Sequence, residues 1–439
     1  MKSPAFIQRL FTPAATTGSK PDRHTRKTVA LCHALLSERG EASGAALARE
    51  ALEAYGLLAG PALRAFFDVL AQEFSPDPDA VEDAASAYRE DHSQSHLIRL
   101  QHVVESPRQE LFRRLNLTTG GTAALVEMRR RLLRELREQA HWAGIDADLV
   151  HLLGSWFNRG FLSLQRVDWR TPALVLEKLM QYEAVHEIQG WQDLRRRLES
   201  DRRCFAFFHP ALPDEPIIFI EVALTKGMSD RVQPLLDPDS PVVDPRGADT
   251  AIFYSITNCQ EGLRGISFGN FLIKQVAEDL GREFPRLKTF ATLSPVPGFR
   301  KWLSERAATH AELAELIEVL AAADWFESAA PSARVRTELM RLCAYYLQHV
   351  KHRNEPADAV ARFHLGNGAR MERLNWLADT SRTGMARSAG MMVNYVYRLK
   401  DIERNHEAYA KEQQVVASAG LSLLARGSLL ARMKAGREK

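Results

Sequence analysis

Between Ala251 and Phe299 the chain alternates apolar and glycine-rich segments in an order that leaves few folds open. Residues 251–259, AIFYSITNC, are apolar, β-branched or aromatic at almost every position, the composition of a buried strand. The following QEGLRGISFG (260–269) holds three glycines within eight residues, which demands a loop of unusual backbone shape. Leu272, Ile273, Val276, Leu280 and Phe284 then recur at helical spacing and give the next segment one buried face. Thr289 to Leu293 is a second short apolar strand, ending at Ser294 before Pro295 and Pro297. Strand, loop, helix and strand make a βαβ unit with a right-handed crossover. Its loop presents backbone N–H groups and a helix N-terminus to an anion, most often a phosphate.

The rest of the chain is long enough, at 439 residues, for two or three domains with filled cores. A formal charge of +3 is too small to make nucleic acid the main partner. No apolar run reaches the roughly 18 residues of a membrane span, so no membrane partner is expected. Cys32, Cys204, Cys259 and Cys343 are far apart without paired spacing. That argues against a zinc site or a disulfide framework and for a reducing, cytoplasmic setting. Residues 1–27 carry Lys2, Arg9, Lys20, Arg23, Arg26 and Lys27 against Asp22 alone, the composition of a disordered basic tail.

Residues 28–160 carry helical signals and almost nothing strand-like. Pro61 opens a segment whose Leu63, Phe66, Phe67, Leu70 and Phe74 share one face, and Thr122 is placed to cap a run with Leu125, Met128, Leu132, Leu133 and Leu136. Breaks are expected at Pro76–Pro78, Thr118–Gly121 and near Gly144. The short connections predict a bundle of antiparallel helices, read as a scaffold or oligomerisation domain. Arg129–Arg131 and Arg195–Arg197 read as solvated helix faces. Thr171 and Pro172 are placed to start a helix as N-cap and first residue.

The character then changes. Cys204–Phe208 and Ile217–Leu224 predict a hairpin joined by a proline-rich link, with Glu221 facing solvent or a pocket. Trp302 to Val350 returns to helix as an insertion, His364 lies in a glycine-rich turn, and Met391–Tyr397 reads as a last strand before a charged helical tail.

Gly265-Ile-Ser267-Phe-Gly269 matches the G-x-S-x-G nucleophile elbow of serine hydrolases. In an elbow, however, the strand runs straight into the first glycine, whereas Gln260 to Arg264 intervene here. That spacing suits a wider phosphate-cradling loop. Arg264-Gly-Ile-Ser267-Phe-Gly269 also resembles the Q/R-x-x-G-x-G/A pyrophosphate loop of the acyl-CoA N-acyltransferase (GNAT) fold, with serine for the middle glycine. His186-Glu187 begins like a zinc-protease H-E-x-x-H but meets glycine at position 190. On local evidence alone His364 is a turn histidine and Ser294 a strand-ending residue.

Taken together, TLSPVPGF (292–299), FHLGNGA (363–369), RLNWLADTS (373–381) and MVNYVY (392–397) resemble the malonyl-CoA decarboxylase family. Residues 207–225 and 251–276 add to the resemblance. It implies an α+β chain: an N-terminal all-helical bundle over 28–160 for self-association as a dimer or tetramer, then a catalytic GNAT-like mixed sheet with a helical insertion over 161–439. The implied reaction is malonyl-CoA to acetyl-CoA and carbon dioxide, with no metal, biotin or other cofactor. The family's catalytic serine falls on Ser294, its histidine on His364 and an active-site tyrosine on Tyr397, with His364 expected as proton donor and Ser294 expected either to hold the carboxylate or to orient His364. Its acyl-CoA loop falls on Arg264, Gly265, Ile266, Ser267, Phe268, Gly269 and Asn270. Vertebrate members carry glutamate where this chain has Ser267, a fourth candidate catalytic position. An N-acyltransferase on the same fold, or a thioester hydrolase acting through Ser267, are the competing activities.

Overall fold

The computed structural model describes residues 22–266, 268, 272–322 and 324–437, which fall into two compact units. One holds the chain up to Phe157 together with Glu261–Ile266, and the other holds Asn158–Gln260 and the chain from Ser267 onward.

The first unit is helical: α1 (Arg23–Ser37), α2 (Glu41–Gly56), α3 (Gly60–Gln72), α4 (Pro78–Glu90), α5 (Gln94–Val104), α6 (Pro107–Asn116), α7 (Gly121–Glu135) and α8 (Ala143–Trp156). The apolar spacing around Phe66 is the core face of α3, with Leu63, Phe66, Phe67 and Leu70 buried and Phe74 buried just past its end. The Phe67 ring lies 5.1 Å from that of Trp142. Two local expectations shift and a third holds. Asp22 caps α1 by accepting the Thr25 N–H at 2.7 Å, so Arg23, Arg26 and Lys27 belong to a helix instead of a disordered tail. Residues 1–21 lie outside those described. Gly120, not Thr122, caps α7, and the Thr122 hydroxyl donates instead to Asn116 Oδ1 at 2.7 Å. The break expected near Gly144 lies just before it, between the end of α7 at Glu135 and the start of α8 at Ala143.

The second unit is built on a mixed sheet. After β1 (Ser163–Val167) come α9 (Ala173–Tyr182) and α10 (Trp191–Arg197), then the expected hairpin of β2 (Arg202–Phe208) and β3 (Pro216–Thr225). Pro172 occupies the cap of α9, while Thr171 Oγ1 accepts the Asp168 N–H at 3.0 Å and closes the preceding turn. β4 (Thr250–Asn258) leads to α11 (Leu272–Glu283) and β5 (Thr289–Thr292), and β4 and β5 pair in parallel as the βαβ reading requires.

β6 (Ser294–Pro295) follows, then the helical insertion α12 (Phe299–Ala307), α13 (Ala314–Ala321) and α14 (Ala329–His349). A separate two-stranded ladder, β7 (Lys351–His352) with β8 (Glu355–Pro356), precedes α15 (Ala359–Gly366). β9 (Arg370–Asn375), α16 (Arg382–Ser388), β10 (Met392–Val396), α17 (Ile402–Glu412), α18 (Ala419–Arg426) and α19 (Leu429–Arg437) complete the unit. The sheet order is β1-β2-β3-β4-β5-β10-β6, with β9 also paired to β10. Among the described residues no helix is long and apolar enough to cross a membrane.

Beside the sheet lies a buried network of charges where solvated faces were expected. Arg197, with 1% of its side chain exposed, donates from Nε to Asp193 at 2.8 Å and from Nη1 to Glu221 at 2.9 Å. Its Nη2 reaches the His186 carbonyl at 2.9 Å. Arg196 forks onto both Asp201 oxygens at 2.7 and 3.0 Å. Glu221 therefore faces neither solvent nor a pocket. Its strand lies between β2 and β4, and burial pushes its carboxyl up while Arg197 opposes that shift. The four cysteines are free thiols, all buried, and burial pushes each thiol up, Cys32 to about 12.

Removing one partner of a buried ion pair strands the other charge. Arg197→Met is expected to cost about 3–5 kcal/mol, read by urea unfolding followed by circular dichroism. A loss below about 1 kcal/mol, the scale of an exposed pair, contradicts this account.

Candidate active site

Strand order assembles the site. β10 lies between β5 and β6, with Val396 opposite Ala291 and Val393 opposite Ser294. The Tyr397 N–H continues the ladder to the Phe290 carbonyl at 2.8 Å. Ser294 and Tyr397 thus come from neighbouring strands although 103 positions separate them, counting from 294 to 397.

His364 comes from the last turn of α15 and not from a glycine turn. Asp358 caps that helix by accepting the Ala361 N–H at 2.9 Å. The turn comes just afterwards, where Asn367 and Ala369 return N–H groups to the His364 carbonyl at 3.2 and 3.0 Å. Gly368 has a φ of +78°, and a Cβ there would lie 2.2 Å from the Ile402 carbonyl, so only glycine fits. This is the physical content of FHLGNGA: a helix end forced into a sharp exit, with the histidine held one turn before it.

The side chains then meet in a line. Ser294 Oγ is 2.9 Å from His364 Nε2, and His364 Nδ1 is 2.7 Å from the Tyr397 hydroxyl. The Ser294 hydroxyl donates to Thr292 Oγ1 at 2.8 Å, which also accepts the Tyr395 N–H at 3.2 Å. The Tyr395 ring stacks on the imidazole, with centroids 4.4 Å apart. Asn394 donates to the Thr292 carbonyl at 2.8 Å, and its own oxygen accepts from Arg373 and Asn375. His364 is 2% exposed, Ser294 6% and Tyr397 1%. With no charge acting on it among the described residues, burial drives the imidazole down to about 3, and it holds the Tyr397 phenol well above its ordinary value. The resting site is therefore neutral, which differs from the imidazolium that an unperturbed histidine supplies near pH 6.5.

The loop expected to hold an anion is only partly described. Ser267, Gly269 and Asn270 lie outside the described residues, as does Phe271, and Phe268 is buried. Arg264, Gly265 and Ile266 belong to the helical unit, whereas Ser294, His364 and Tyr397 belong to the sheet unit. Gly265 takes a φ of +80°, and the Arg264 side chain is exposed. Arg129 of α7 holds this stretch. Its Nη1 donates to the carbonyls of Gly262 and Arg264, each at 2.8 Å, while Nε donates to Asp146 at 2.8 Å. Gly262 presses so closely on α7 that a Cβ would lie 2.0 Å from the Val126 carbonyl. Arg129 is thus buried by loop carbonyls, which a charge run in the sequence does not reveal. Thr292 and Tyr395 also escaped notice, although the two-residue period of a strand puts Thr292 beside Ser294 and Tyr395 beside Tyr397.

A family model described as the malonyl-CoA decarboxylase C-terminal domain matches residues 160–435, and one described as its N-terminal domain matches 74–157. The chain belongs to the malonyl-CoA decarboxylase family. A mitochondrial malonyl-CoA decarboxylase of Anser anser anser is 37% identical over 401 residues, 83% of this chain and 80% of that protein. One of Rattus norvegicus is 36% identical over 411 residues, 84% of each. The crystal structure of malonyl-CoA decarboxylase from Rhodopseudomonas palustris superposes with a TM-score of 0.87 at 49% identity, covering 90% of this chain and 98% of that one. The one from Agrobacterium vitis gives 0.85 at 48% identity, covering 91% and 99%. Within this decarboxylase family the helical unit and the sheet unit each carry part of the matched sequence.

The buried neutral histidines set an acid limit on the fold. His364 is held down to about 3 and His186 to about 4 in the native chain, against about 6.5 when unfolded. Between those values the unfolded chain binds more protons, so stability falls as pH falls below about 6.5. Each such histidine contributes a slope of up to about 1.4 kcal/mol per pH unit. Unfolding free energies measured from pH 7 to 4 are expected to fall less steeply in His364→Asn than in the wild type. Identical slopes mean that His364 titrates normally in the folded chain.

Proposed function

We propose that this chain decarboxylates malonyl-CoA to acetyl-CoA and carbon dioxide, using the line of Ser294, His364 and Tyr397. The observation that carries the reading is a buried, neutral serine–histidine–tyrosine chain in a member of this family. A malonyl thioester can lose its carboxylate because the thioester carbonyl takes the electron pair as an enolate. The protein has to hold the carboxylate out of the carbonyl plane and away from water, favour the oxyanion, and return a proton to carbon.

A neutral imidazole can serve as that acid, since an enolate carbon is a far stronger base than an imidazole nitrogen. The carbon–carbon bond breaks, carbon dioxide leaves, and the proton on His364 Nε2, which Ser294 holds in the resting enzyme, forms the new C–H bond. Tyr397 gives its hydroxyl proton to Nδ1 in the same motion, so the ring changes tautomer without carrying charge and the negative charge of the enolate passes to the Tyr397 oxygen. One proton from solvent then restores the resting pair. Arg264 to Asn270 would hold the CoA phosphates through backbone N–H groups, leaving the Ser267 side chain a supporting role at most. An N-acyltransferase reading needs a base and an amine acceptor, and the neutral, proton-donating line gives it less support.

The helical unit is proposed to assemble the homo-oligomer, a dimer or tetramer, and the cytoplasm is proposed as the setting. The exposed apolar side chains Leu57, Ile98, Val104 and Leu117 of that unit, and the lack of chemical residues in its sequence, motivate the first part. Light scattering of the full chain at micromolar concentration is expected to give a multiple of the monomer mass; a monomer removes this role.

Incubation with malonyl-CoA in the presence of a chelator is expected to give acetyl-CoA and carbon dioxide in equal amounts. His364→Asn is expected to lower kcat by about 10²-fold or more with little change in KM, the scale of a lost positioned acid. Ser267→Ala is expected to keep most of its activity and to take no fluorophosphonate label. A dead Ser267→Ala protein with an acyl group trapped on the wild-type serine makes the chain a thioester hydrolase instead.

A further inference from the structure

A serine hydrogen-bonded to a histidine can do two opposite things. If the hydroxyl donates to the ring, the ring is a base and the serine a nucleophile. If the ring donates to the hydroxyl oxygen, the ring is a proton source. The 2.9 Å separation of Ser294 Oγ and His364 Nε2 fits either direction, so another group has to decide.

Thr292 is that group. The Ser294 hydroxyl lies 2.8 Å from Thr292 Oγ1 with the geometry of a donor toward it. A hydroxyl has one hydrogen, so a hydrogen given to Thr292 leaves Ser294 only lone pairs to offer the imidazole. Nε2 then carries the ring hydrogen. Nδ1 is bare and accepts from the Tyr397 hydroxyl at 2.7 Å, a phenol that burial keeps protonated. Every hydrogen in the line points the same way, from Tyr397 through His364 and Ser294 to Thr292.

Thr292 is itself fixed. It is fully buried at the end of β5, its Oγ1 accepts the Tyr395 N–H at 3.2 Å, and its carbonyl accepts from Asn394 at 2.8 Å. Asn394 is held in turn by Arg373 and Asn375 at 3.0 and 2.9 Å. The acceptor cannot swing away without giving up the Tyr395 N–H.

We propose that Thr292 is a positioning residue that sets the direction of the Tyr397–His364–Ser294 hydrogen-bond line and so holds His364 as the Nε2–H tautomer. This rests on the decarboxylase reading for its consequence, because a proton donor to carbon needs that tautomer and a serine nucleophile needs the other. It does not rest on that reading for the tautomer itself.

The test uses the full chain labelled with ¹⁵N-histidine, with the His364 signals assigned by their loss in His364→Asn. The wild type is expected to show a protonated Nε2 and a bare Nδ1. Thr292→Val keeps the side-chain shape but removes the acceptor, and is expected to shift His364 toward the Nδ1–H tautomer. Its kcat on malonyl-CoA is expected to fall roughly 2- to 13-fold with KM unchanged, the scale of one neutral hydrogen bond. Thr292→Ser, which restores the acceptor, is expected to restore both readings. An Nδ1–H tautomer in the wild type overturns the inference, and so does a Thr292→Val protein that keeps the wild-type tautomer, whatever its rate. The wild-type spectrum decides even if the valine variant does not fold. Should the wild type fail to decarboxylate malonyl-CoA, the proposed function falls while the spectra still decide for or against Thr292.

Discussion

The insertion of β10 between β5 and β6 is the constraint on which the sheet unit's chemistry depends. A strand near the end of the chain must find its place between two short segments laid down about a hundred residues earlier. Once it pairs, Tyr395 offers its ring to His364 and its N–H to Thr292, while Tyr397 reaches Nδ1. Non-local pairing of this kind carries a large loop-closure cost before it gains contacts, so it is expected late in folding. The intervening helices α12 to α15 are not idle: they deliver the histidine to the middle of the line, between Ser294 and Tyr397.

Much of this architecture is legible in the sequence because periodicity and composition agree there. The βαβ unit, the hairpin of β2 and β3 and the core face of α3 announce themselves through local pattern alone. β9 does not, since Arg370 and Glu372 pair with each other on a strand that shows little apolar alternation. His364 is read as a turn residue because Gly366 and Gly368 follow it, whereas those glycines end a helix. The line of Ser294, His364 and Tyr397 is named by resemblance to a family, and nothing local distinguishes those residues from structural ones.

Buried arginines are the clearest case of what sequence withholds. Arg129, Arg196 and Arg197 sit in runs of positive charge that look solvated. Their acceptors, however, are Asp146 and loop carbonyls for Arg129, Asp201 for Arg196, and Asp193 with Glu221 for Arg197. Several of those partners come from distant parts of the chain, and a charge run carries no information about them. An arginine whose donors are satisfied by remote carbonyls and carboxylates is a tertiary fact, decided only when both segments are in place.

The four buried thiols have a practical bearing on how this chain opens. A thiol reacts through its thiolate, and burial here both shields each sulfur and suppresses its ionisation. Alkylation then requires a fluctuation that exposes the sulfur. Cys32 belongs to the helical unit, and Cys204, Cys259 and Cys343 belong to the sheet unit. The order in which those four sites take up a maleimide is thus a clock for each unit separately, already written into the native chain.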